Sequence, residues 1–372
     1  DYPKQGFSII PMWIADMNFT TSPTITKAIE NRLQHGLFGY FQPRDEYFKS
    51  IIAWHKRHNK TTIKKEYIGY ENGVLGGLIS ALHAVANPGD YVLLHSPTYV
   101  GFTHSIEDNG YHIIHSPLYR DAEGVWRMNY EDMDAKIKQY NIHVAVFCSP
   151  HNPSGRVWER DEIEKALKVY ADNDCTVVSD EIWSDITLFG KQHIPTQSVN
   201  KDAKNRTIAL YAPTKTFNIA GIVNSYHVIY NKTLRQKVES TAHKTYYNDL
   251  NVLSMYALIG AYSIESETWL EQLRQVLGDN VETMLSFLRE EAPLVSAAKP
   301  DGTYMLLLDC SQYCERHGVD FQTLLKRGWE VGVIWQNGEH FYASQSIRLN
   351  LALPKPLLLE AIERLRKYVF VD

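Results

Sequence analysis

Short apolar runs alternate with amphipathic stretches through the middle of this chain, and this alternation limits the fold more than any other feature. Between the runs lie segments such as 159–172, whose apolar residues recur at helical spacing. A strand followed by a helix and another strand is typical of a mostly parallel sheet covered by helices. The pattern therefore predicts an α/β fold. The strand-like runs are 92–95, 111–114, 144–148, 176–179, 207–211 and 225–230.

The pattern changes after residue 249. Apolar residues from 252 to 291 repeat at helical spacing and predict one or two long helices. Beyond them, strand-like and helical segments predict a smaller α+β domain; they are 302–309, 320–327, 347–352 and 356–368. A chain of 372 residues with 44% apolar composition is long enough for two packed domains. We assign 25–264 to the large α/β domain, and 1–24 with 265–372 to the smaller one.

Charge and cysteine content exclude several classes of protein. The net charge of −5 and the scattered Lys and Arg residues argue against a nucleic-acid partner. No apolar run is long enough to cross a bilayer, so we expect no membrane partner. The four cysteines lack C-x-x-C spacing and no H-E-x-x-H motif is present, so we predict no disulfide framework and no metal site. A reducing, cytoplasmic location fits this composition.

Three motifs stand at the ends of strand-like runs. A-P-T-K-T-F-N-I-A-G (212–221) places Lys215 where a strand gives way to a loop, and an amine there can hold an aldehyde cofactor as an imine. C-S-P-H-N-P-S-G (148–155) and S-D-E-I-W-S-D (179–185) follow two earlier strands. Open parallel sheets bind ligands at such strand ends. Together the motifs predict a site for pyridoxal 5'-phosphate and chemistry on amino acids.

Asp180 and Lys215 are the candidate catalytic pair. Pyridoxal phosphate is an electron sink only while its pyridine nitrogen is protonated, which requires a buried carboxylate such as that of Asp180. An N-cap or an ordinary ion pair is the alternative for this residue. Once a substrate frees it, the amine of Lys215 is placed to move the Cα proton. We expect a helix at 217–222 behind the lysine, with the Thr214 hydroxyl near the cofactor phosphate.

Two further side chains are candidates for the cofactor ring. Asn152 can donate its amide to the ring oxygen and to bound substrate, although Asn-Pro and Ser-Gly dipeptides also simply make turns. Tyr99, in S-P-T-Y-V-G-F, can stack on the pyridine face and is included among the catalytic candidates. Core packing is the equal alternative for its ring.

Phosphate and carboxylate need different partners. E-N-G-V-L-G-G-L (71–78) supplies a glycine turn that opens an apolar helix, so the amides of Gly73, Val74 and Leu75 are the candidate phosphate donors. Arg348, in S-I-R-L-N-L-A, alternates with apolar neighbours on a strand and is the candidate for bidentate capture of a substrate carboxylate. A surface salt bridge is the competing interpretation for Arg348.

These motifs resemble fold-type I pyridoxal phosphate enzymes of the class I/II aminotransferase family. More narrowly, the chain is similar to the MalY/PatB group of cystathionine β-lyases and cysteine-S-conjugate β-lyases, from P-M-W-I-A-D-M-N-F at Pro11 to R-L-N-L-A-L-P at Arg348. The resemblance implies a mostly parallel, seven-stranded cofactor-binding sheet. It also implies a two-fold homodimer in which Tyr40 reaches the partner's phosphate.

The resemblance assigns the opening segment to the substrate entrance, through Trp13, Ala15 and Asp16. It implies α,β-elimination of a sulfur amino acid to pyruvate, ammonia and a thiol. Transamination between an amino acid and a 2-keto acid stays open, as does a regulatory protein–protein role for a cofactor-binding protein. Trp183 stands where many aminotransferases have tyrosine, which together with the closer similarity to the lyase group disfavours transamination. Val223 stands where many have arginine, so fewer cations are available for the phosphate and Tyr40 from the partner becomes more useful.

Overall fold

The computed structural model describes residues 2–244 and 248–371. Its strands are β1 (Ile10–Pro11), β2 (Ile68–Glu71), β3 (Tyr91–Ser96), β4 (His112–Pro117), β5 (Tyr119–Arg120), β6 (Trp126–Arg127), β7 (Val144–Cys148), β8 (Thr176–Asp180), β9 (Thr207–Tyr211), β10 (Ser225–Val228), β11 (Ser296–Ala297), β12 (Met305–Asp309), β13 (Val333–Ile334), β14 (Gln336–Asn337) and β15 (Ser346–Asn350).

The α-helices fill most of the intervals between these strands. They are α1 (Pro23–Leu33), α2 (Asp45–His58), α3 (Val74–Val85), α4 (Val100–Asp108), α5 (Tyr130–Tyr140), α6 (Arg160–Asp172), α7 (Lys201–Arg206), α8 (Lys232–His243), α9 (Val252–Ala261), α10 (Glu267–Glu291), α11 (Ser311–His317), α12 (Phe321–Glu330) and α13 (Lys355–Tyr368). In the part of the chain that the structure describes, none of these helices has the length and apolar character needed to span a bilayer.

A seven-stranded sheet with the order β2-β10-β9-β8-β7-β3-β4 forms the centre of the molecule. Its strands run parallel except β10, which is antiparallel to both of its neighbours. Strands β7, β8 and β9 are buried on both faces, as near-continuous apolar sequences in parallel sheets must be. The predicted α/β fold with a mostly parallel sheet is therefore confirmed.

A second, antiparallel sheet has the order β11-β12-β15-β14 and lies in the C-terminal part of the chain. The N-terminal strand β1 pairs in parallel with β13, which ties the first residues to this part. The smaller α+β unit expected from the sequence is thus present. The boundaries at residues 24 and 264 stay a prediction.

Strand β2 escaped the sequence analysis because I-G-Y-E carries a glycine, which usually argues against a strand. The structure explains why glycine is there. A Cβ at Gly69 would stand 2.2 Å from the ring of His227 on the neighbouring strand β10. The missing side chain therefore makes room for a buried imidazole, whose Nδ1 lies 2.7 Å from Glu71 Oε1.

Candidate active site

Three neighbouring strands deliver the reactive side chains to one edge of the central sheet. Strand β8 ends at Asp180 itself, β7 ends four residues before Asn152, and β9 ends four residues before Lys215. Because the three strands are parallel neighbours, their carboxyl ends meet at the same edge. The structure therefore brings together the motifs that the sequence identified separately.

Asp180 is a buried carboxylate with spare acceptor capacity. The side chain is 5% exposed, and its Oδ1 accepts a hydrogen bond from the Ile182 amide at 3.0 Å. Among the described residues, no cation pairs with it and no donor reaches Oδ2. Burial raises the pKa of this carboxyl to about 7, and the nearby charge of Lys215 opposes that rise. A cationic ring nitrogen at the open oxygen fits this carboxyl, because it would restore the charged form.

Lys215 lies in a turn after β9 and is half-buried. Its Nζ donates to the carbonyl oxygen of Ala15 at 3.0 Å. Burial lowers the pKa of this amine, and Arg348 lowers it further, while Asp16 and Asp180 oppose the shift. The environment therefore favours the neutral amine that attacks an aldehyde.

The helix expected at 217–222 is wrong. These residues form turns and a bend and no helix, and Asn218 adopts a left-handed conformation with φ of 54°. Its side chain accepts from the Met17 amide at 2.9 Å and donates to the carbonyls of Met17 and Phe19, both at 3.0 Å. Asparagine tolerates this conformation and hydrogen-bonds locally, which competes with helix formation. The lysine loop is thereby fixed to the N-terminal segment.

Arg348 is a buried cation without a carboxylate partner among the described residues. Only 2% of its surface is exposed, so the competing interpretation as a surface salt bridge is wrong. Its guanidinium donates to Asn152 Oδ1 at 3.0 Å, to the Trp13 carbonyl at 3.3 Å and to Gln336, and lies 4.1 Å from the Phe341 ring centre. Burial lowers its pKa to about 10. Such a charge fits an anionic substrate group.

An unpaired nitrogen of Arg348 is further support for an anionic substrate group at this position. Arg348 Nε is buried and has no hydrogen-bond partner within the described residues. Unpaired buried donors are uncommon because each costs free energy. Asn152 uses its oxygen toward Arg348, which leaves its amide NH₂ to donate elsewhere. Its loop also forms the turn that the sequence suggested, with the His151 amide bonded to the Arg156 carbonyl at 2.8 Å.

The glycine turn before α3 has the expected form. Gly73 is the residue at the helix start and has φ of 82°, a conformation that favours glycine, and Val74 and Leu75 begin the helix. A Cβ at Gly77 would lie 2.9 Å from Leu210 Cδ2, so the first turn of α3 packs closely against β9. Strand β9 leads to Thr214, the other candidate for the phosphate. The position of Gly73, Val74 and Leu75 therefore supports their expected role in phosphate binding, which stays a prediction.

Tyr99 precedes α4, and its half-buried ring packs edge-on against Phe102 at 5.4 Å. Burial raises the pKa of its hydroxyl, and the charges of Arg348 and Asp180 both reach it. Tyr99 therefore lies near both Arg348, the candidate for the substrate carboxylate, and Asp180, the candidate for the cofactor nitrogen. Core packing and cofactor stacking are both compatible with this position.

The opening segment contacts the site through its backbone, because the carbonyls of Trp13 and Ala15 accept hydrogen bonds from Arg348 and Lys215. Trp13 and Asp16 are exposed and Ala15 is half-buried, as expected for an entrance. Asn18, in the same segment, donates to the Pro11 carbonyl at 3.1 Å. Tyr40 is fully exposed and touches none of these groups, so its role toward a partner subunit stays a prediction.

Sequence reasoning missed three side chains that hold this site together. Gln336 on β14 accepts from Arg348, and Asn350 on β15 donates to the carbonyls of Ile14 at 2.7 Å and Asp16 at 2.5 Å. The Tyr304 hydroxyl donates to the Ala15 carbonyl at 2.9 Å. Their partners are hundreds of residues away in sequence, except that Gln336 and Arg348 are cross-strand neighbours. Alternation around R-L-N could have suggested Asn350, which lies two residues after Arg348.

Comparison with known proteins agrees with this geometry. The family model "Aminotransferase class I and II" matches residues 10–365. The chain is 34% identical over 361 residues to cystathionine beta-lyase PatB of Bacillus subtilis (strain 168), covering 96% of this chain and 92% of that protein.

Two solved structures are similar over nearly the whole chain. The PLP-bound C-S lyase from Staphylococcus hominis has a TM-score of 0.89 and 29% identity, covering 98% of this chain and 92% of that one. Cystalysin from Treponema denticola, which contains pyridoxal 5'-phosphate, has a TM-score of 0.91 and 28% identity, covering 97% and 92%. The expected cofactor and fold type are borne out at the level of these relatives. The chain therefore belongs to the class I and II aminotransferase family.

Proposed function

We propose that the protein is a pyridoxal phosphate-dependent carbon–sulfur β-lyase of the cystathionine β-lyase type. It would convert a sulfur amino acid into pyruvate, ammonia and a thiol by α,β-elimination. The observation that carries the proposal is the buried guanidinium of Arg348, which has no carboxylate partner among the described residues and whose charge, like that of Asp180, acts on the amine of Lys215. Similarity to PatB and to the two solved lyases supports elimination as the reaction.

Each residue has a separate task in this proposal. Pyridoxal phosphate, when bound, supplies the electron sink for the pair left at Cα. Arg348 binds the substrate carboxylate with Asn152 at its side, and the amine of Lys215 removes the Cα proton. Asp180 holds the cofactor nitrogen, while Gly73, Val74, Leu75 and Thr214 are proposed to hold the phosphate.

Transamination is the second candidate, because the family as a whole is named for it. The two reactions share binding and Cα deprotonation, and they differ in where the proton goes next. Trp183 is buried with its ring 4.7 Å from the Tyr304 ring, and its indole N–H has no hydrogen-bond partner among the described residues. It therefore supplies no hydroxyl to the site, unlike the tyrosine of many aminotransferases.

The reaction can be tested directly on the protein with bound pyridoxal phosphate. We expect incubation with L-cystathionine or an S-alkyl cysteine to release thiol and pyruvate in equal amounts, without any added keto acid. A thiol-reactive dye and a coupled pyruvate assay would measure both products. Turnover that strictly requires a 2-keto acid, with no thiol released, would instead identify an aminotransferase.

Gln336→Glu is expected to weaken substrate binding. The introduced carboxylate would pair with Arg348 and compete with the substrate carboxylate for the same guanidinium. Hydrogen bonds to charged groups contribute about 1.5–3 kcal/mol, so we expect KM to rise roughly tenfold or more. The kcat should change much less, because Gln336 touches no reacting atom. Gln272→Glu, on an exposed position of α10, is the matched control.

We also propose that the active site is completed in a homodimer. Leu37, Phe38 and Tyr40 are large apolar residues that are more than half exposed on one loop. A cluster of this kind is typical of a surface that another protein covers. A second copy of the chain covering this loop would bring Tyr40 toward its partner's site, as the family resemblance implies.

A further inference from the structure

Two donors from distant parts of the chain converge on one backbone carbonyl. The Ala15 oxygen accepts from Lys215 Nζ at 3.0 Å and from the Tyr304 hydroxyl at 2.9 Å. Lys215 lies in the loop after β9, and Tyr304 directly precedes β12 of the smaller sheet. The carbonyl therefore connects the amine of the site with a side chain to which the proposed function gives no task.

The segment that carries this carbonyl is fixed on both sides. Asn350 Nδ2 donates to the carbonyls of Ile14 and Asp16, the two neighbours of Ala15. Asn350 is itself held, because its Oδ1 accepts from the Ala352 amide at 2.7 Å. The peptide of Ala15 thus has little freedom to translate, and its orientation depends on the donors that reach its oxygen.

Tyr304 is suited to hold that orientation permanently. Its side chain is buried, and its ring packs edge-on against Trp183. A carbonyl oxygen can only accept, so the hydroxyl must donate its proton there. Burial also raises the pKa of the hydroxyl, which keeps it protonated across the working pH range. The hydroxyl is therefore a fixed donor and is not available as a base.

The fixed Ala15 carbonyl sets the orientation of the Lys215 amine once a substrate has released that amine from the cofactor. When the neutral Lys215 amine donates an N–H to the fixed Ala15 carbonyl, its lone pair points in another direction. After the amine accepts a proton, the hydrogen bond to Ala15 remains and becomes stronger, because its donor is now charged. We propose that Tyr304 is a positioning residue whose hydroxyl fixes the Ala15 carbonyl as the acceptor that orients the Lys215 amine. This inference rests on the proposed function only in so far as Lys215 moves the Cα proton.

Tyr304→Phe tests the proposal because it keeps the ring against Trp183 and removes only the hydroxyl. In the protein with bound cofactor we expect kcat for elimination to fall about tenfold, the effect of one lost hydrogen bond of about 1.4 kcal/mol. KM should change less than about twofold, since Arg348 is untouched. The kinetic isotope effect with Cα-deuterated substrate should increase, because proton transfer becomes slower.

A matched control is available in Tyr313→Phe. Tyr313 is also a buried tyrosine that donates to backbone carbonyls, those of Val369 at 3.1 Å and Val371 at 2.9 Å. It lies in α11, away from the site residues. We expect it to leave kcat and the isotope effect unchanged. If Tyr304→Phe behaves like this control, or lowers kcat with an unchanged isotope effect, the proposal is wrong.

A second measurement does not depend on turnover. In the cofactor-free protein, acetylation of Lys215 by acetic anhydride, followed by mass spectrometry, reports the reactivity of the amine. Without the Tyr304 hydroxyl the Ala15 carbonyl is no longer held in the orientation that stabilises the ammonium form of Lys215, so Tyr304→Phe should increase the acetylation rate severalfold at neutral pH. An unchanged or slower rate would overturn the positioning role. If the rate increases but the wild-type protein releases no thiol, the positioning stands and the proposed lyase function fails.

Discussion

Lys215→Ala is expected to abolish turnover and to remove the covalent attachment of the cofactor. The substitution deletes both the amine that would bind the aldehyde and the group that moves the Cα proton. General acid–base catalysis alone contributes about 10²–10⁴ in rate, and the loss of covalent attachment adds to it. We therefore expect kcat/KM to fall by at least about 10⁴ for any amino-acid substrate.

The covalent link gives a readout that is independent of rate. Borohydride treatment of the wild-type protein with pyridoxal phosphate should leave a stable adduct on the tryptic peptide containing Lys215. The variant should carry no such adduct and should unfold at nearly the same temperature, because within the described residues the amine makes a hydrogen bond only to the Ala15 carbonyl. Lys201→Ala, an exposed lysine in α7, controls for unspecific labelling. An adduct retained in Lys215→Ala would refute the assignment.

The large fold features were predictable because they depend on local patterns. Strands β7, β8 and β9 are continuous apolar runs, and α6 shows a clear helical period. Prediction failed where a tertiary contact decides the local structure. Gly69 is in a strand because His227 needs the space, and residues 217–222 turn because the Asn218 side chain binds the N-terminal segment.

The residues of the candidate active site divide in the same way, into those that local sequence patterns predict and those that depend on tertiary contacts. Asp180, Asn152 and Lys215 were identifiable because strand ends converge on one edge of a parallel sheet. Gln336 and Tyr304 were not, because their roles depend on which atom lies opposite them in space. Nothing in the local sequence around G-T-Y indicates that the Tyr304 hydroxyl meets a carbonyl 289 positions earlier in the chain.

Asp180→Asn is expected to lower activity strongly while stabilising the cofactor-free fold. The asparagine oxygen can still accept from the Ile182 amide, so local structure is kept. The neutral amide cannot hold a cationic ring nitrogen, and loss of one preorganised electrostatic partner typically costs about 10²–10³ in kcat. Activity and stability should therefore change in opposite directions.

The stability gain depends on pH in a defined direction. The folded-state pKa of Asp180 is raised from 3.8 to about 7, so the folded protein binds more protons than the unfolded chain between these values. The stability of the wild type therefore falls as pH rises through this window, by on the order of a few kcal/mol, since one pKa unit is about 1.4 kcal/mol. Asp180→Asn does not lose stability in this window. Its gain in the free energy of unfolding over the wild type should therefore be full at pH 8 and absent below about pH 4.

Chemical denaturation at pH 4, 6 and 8 would measure this advantage, and Asp185→Asn is the control within the same motif. Both oxygens of Asp185 already accept hydrogen bonds, from Trp54 Nε1 at 2.9 Å and Thr216 Oγ1 at 3.0 Å, so its replacement should bring no gain at pH 8. Cofactor binding should then stabilise the wild type more than Asp180→Asn, because only the carboxylate gains a cationic partner. Equal stabilisation of both proteins would mean that the cofactor nitrogen does not meet Asp180.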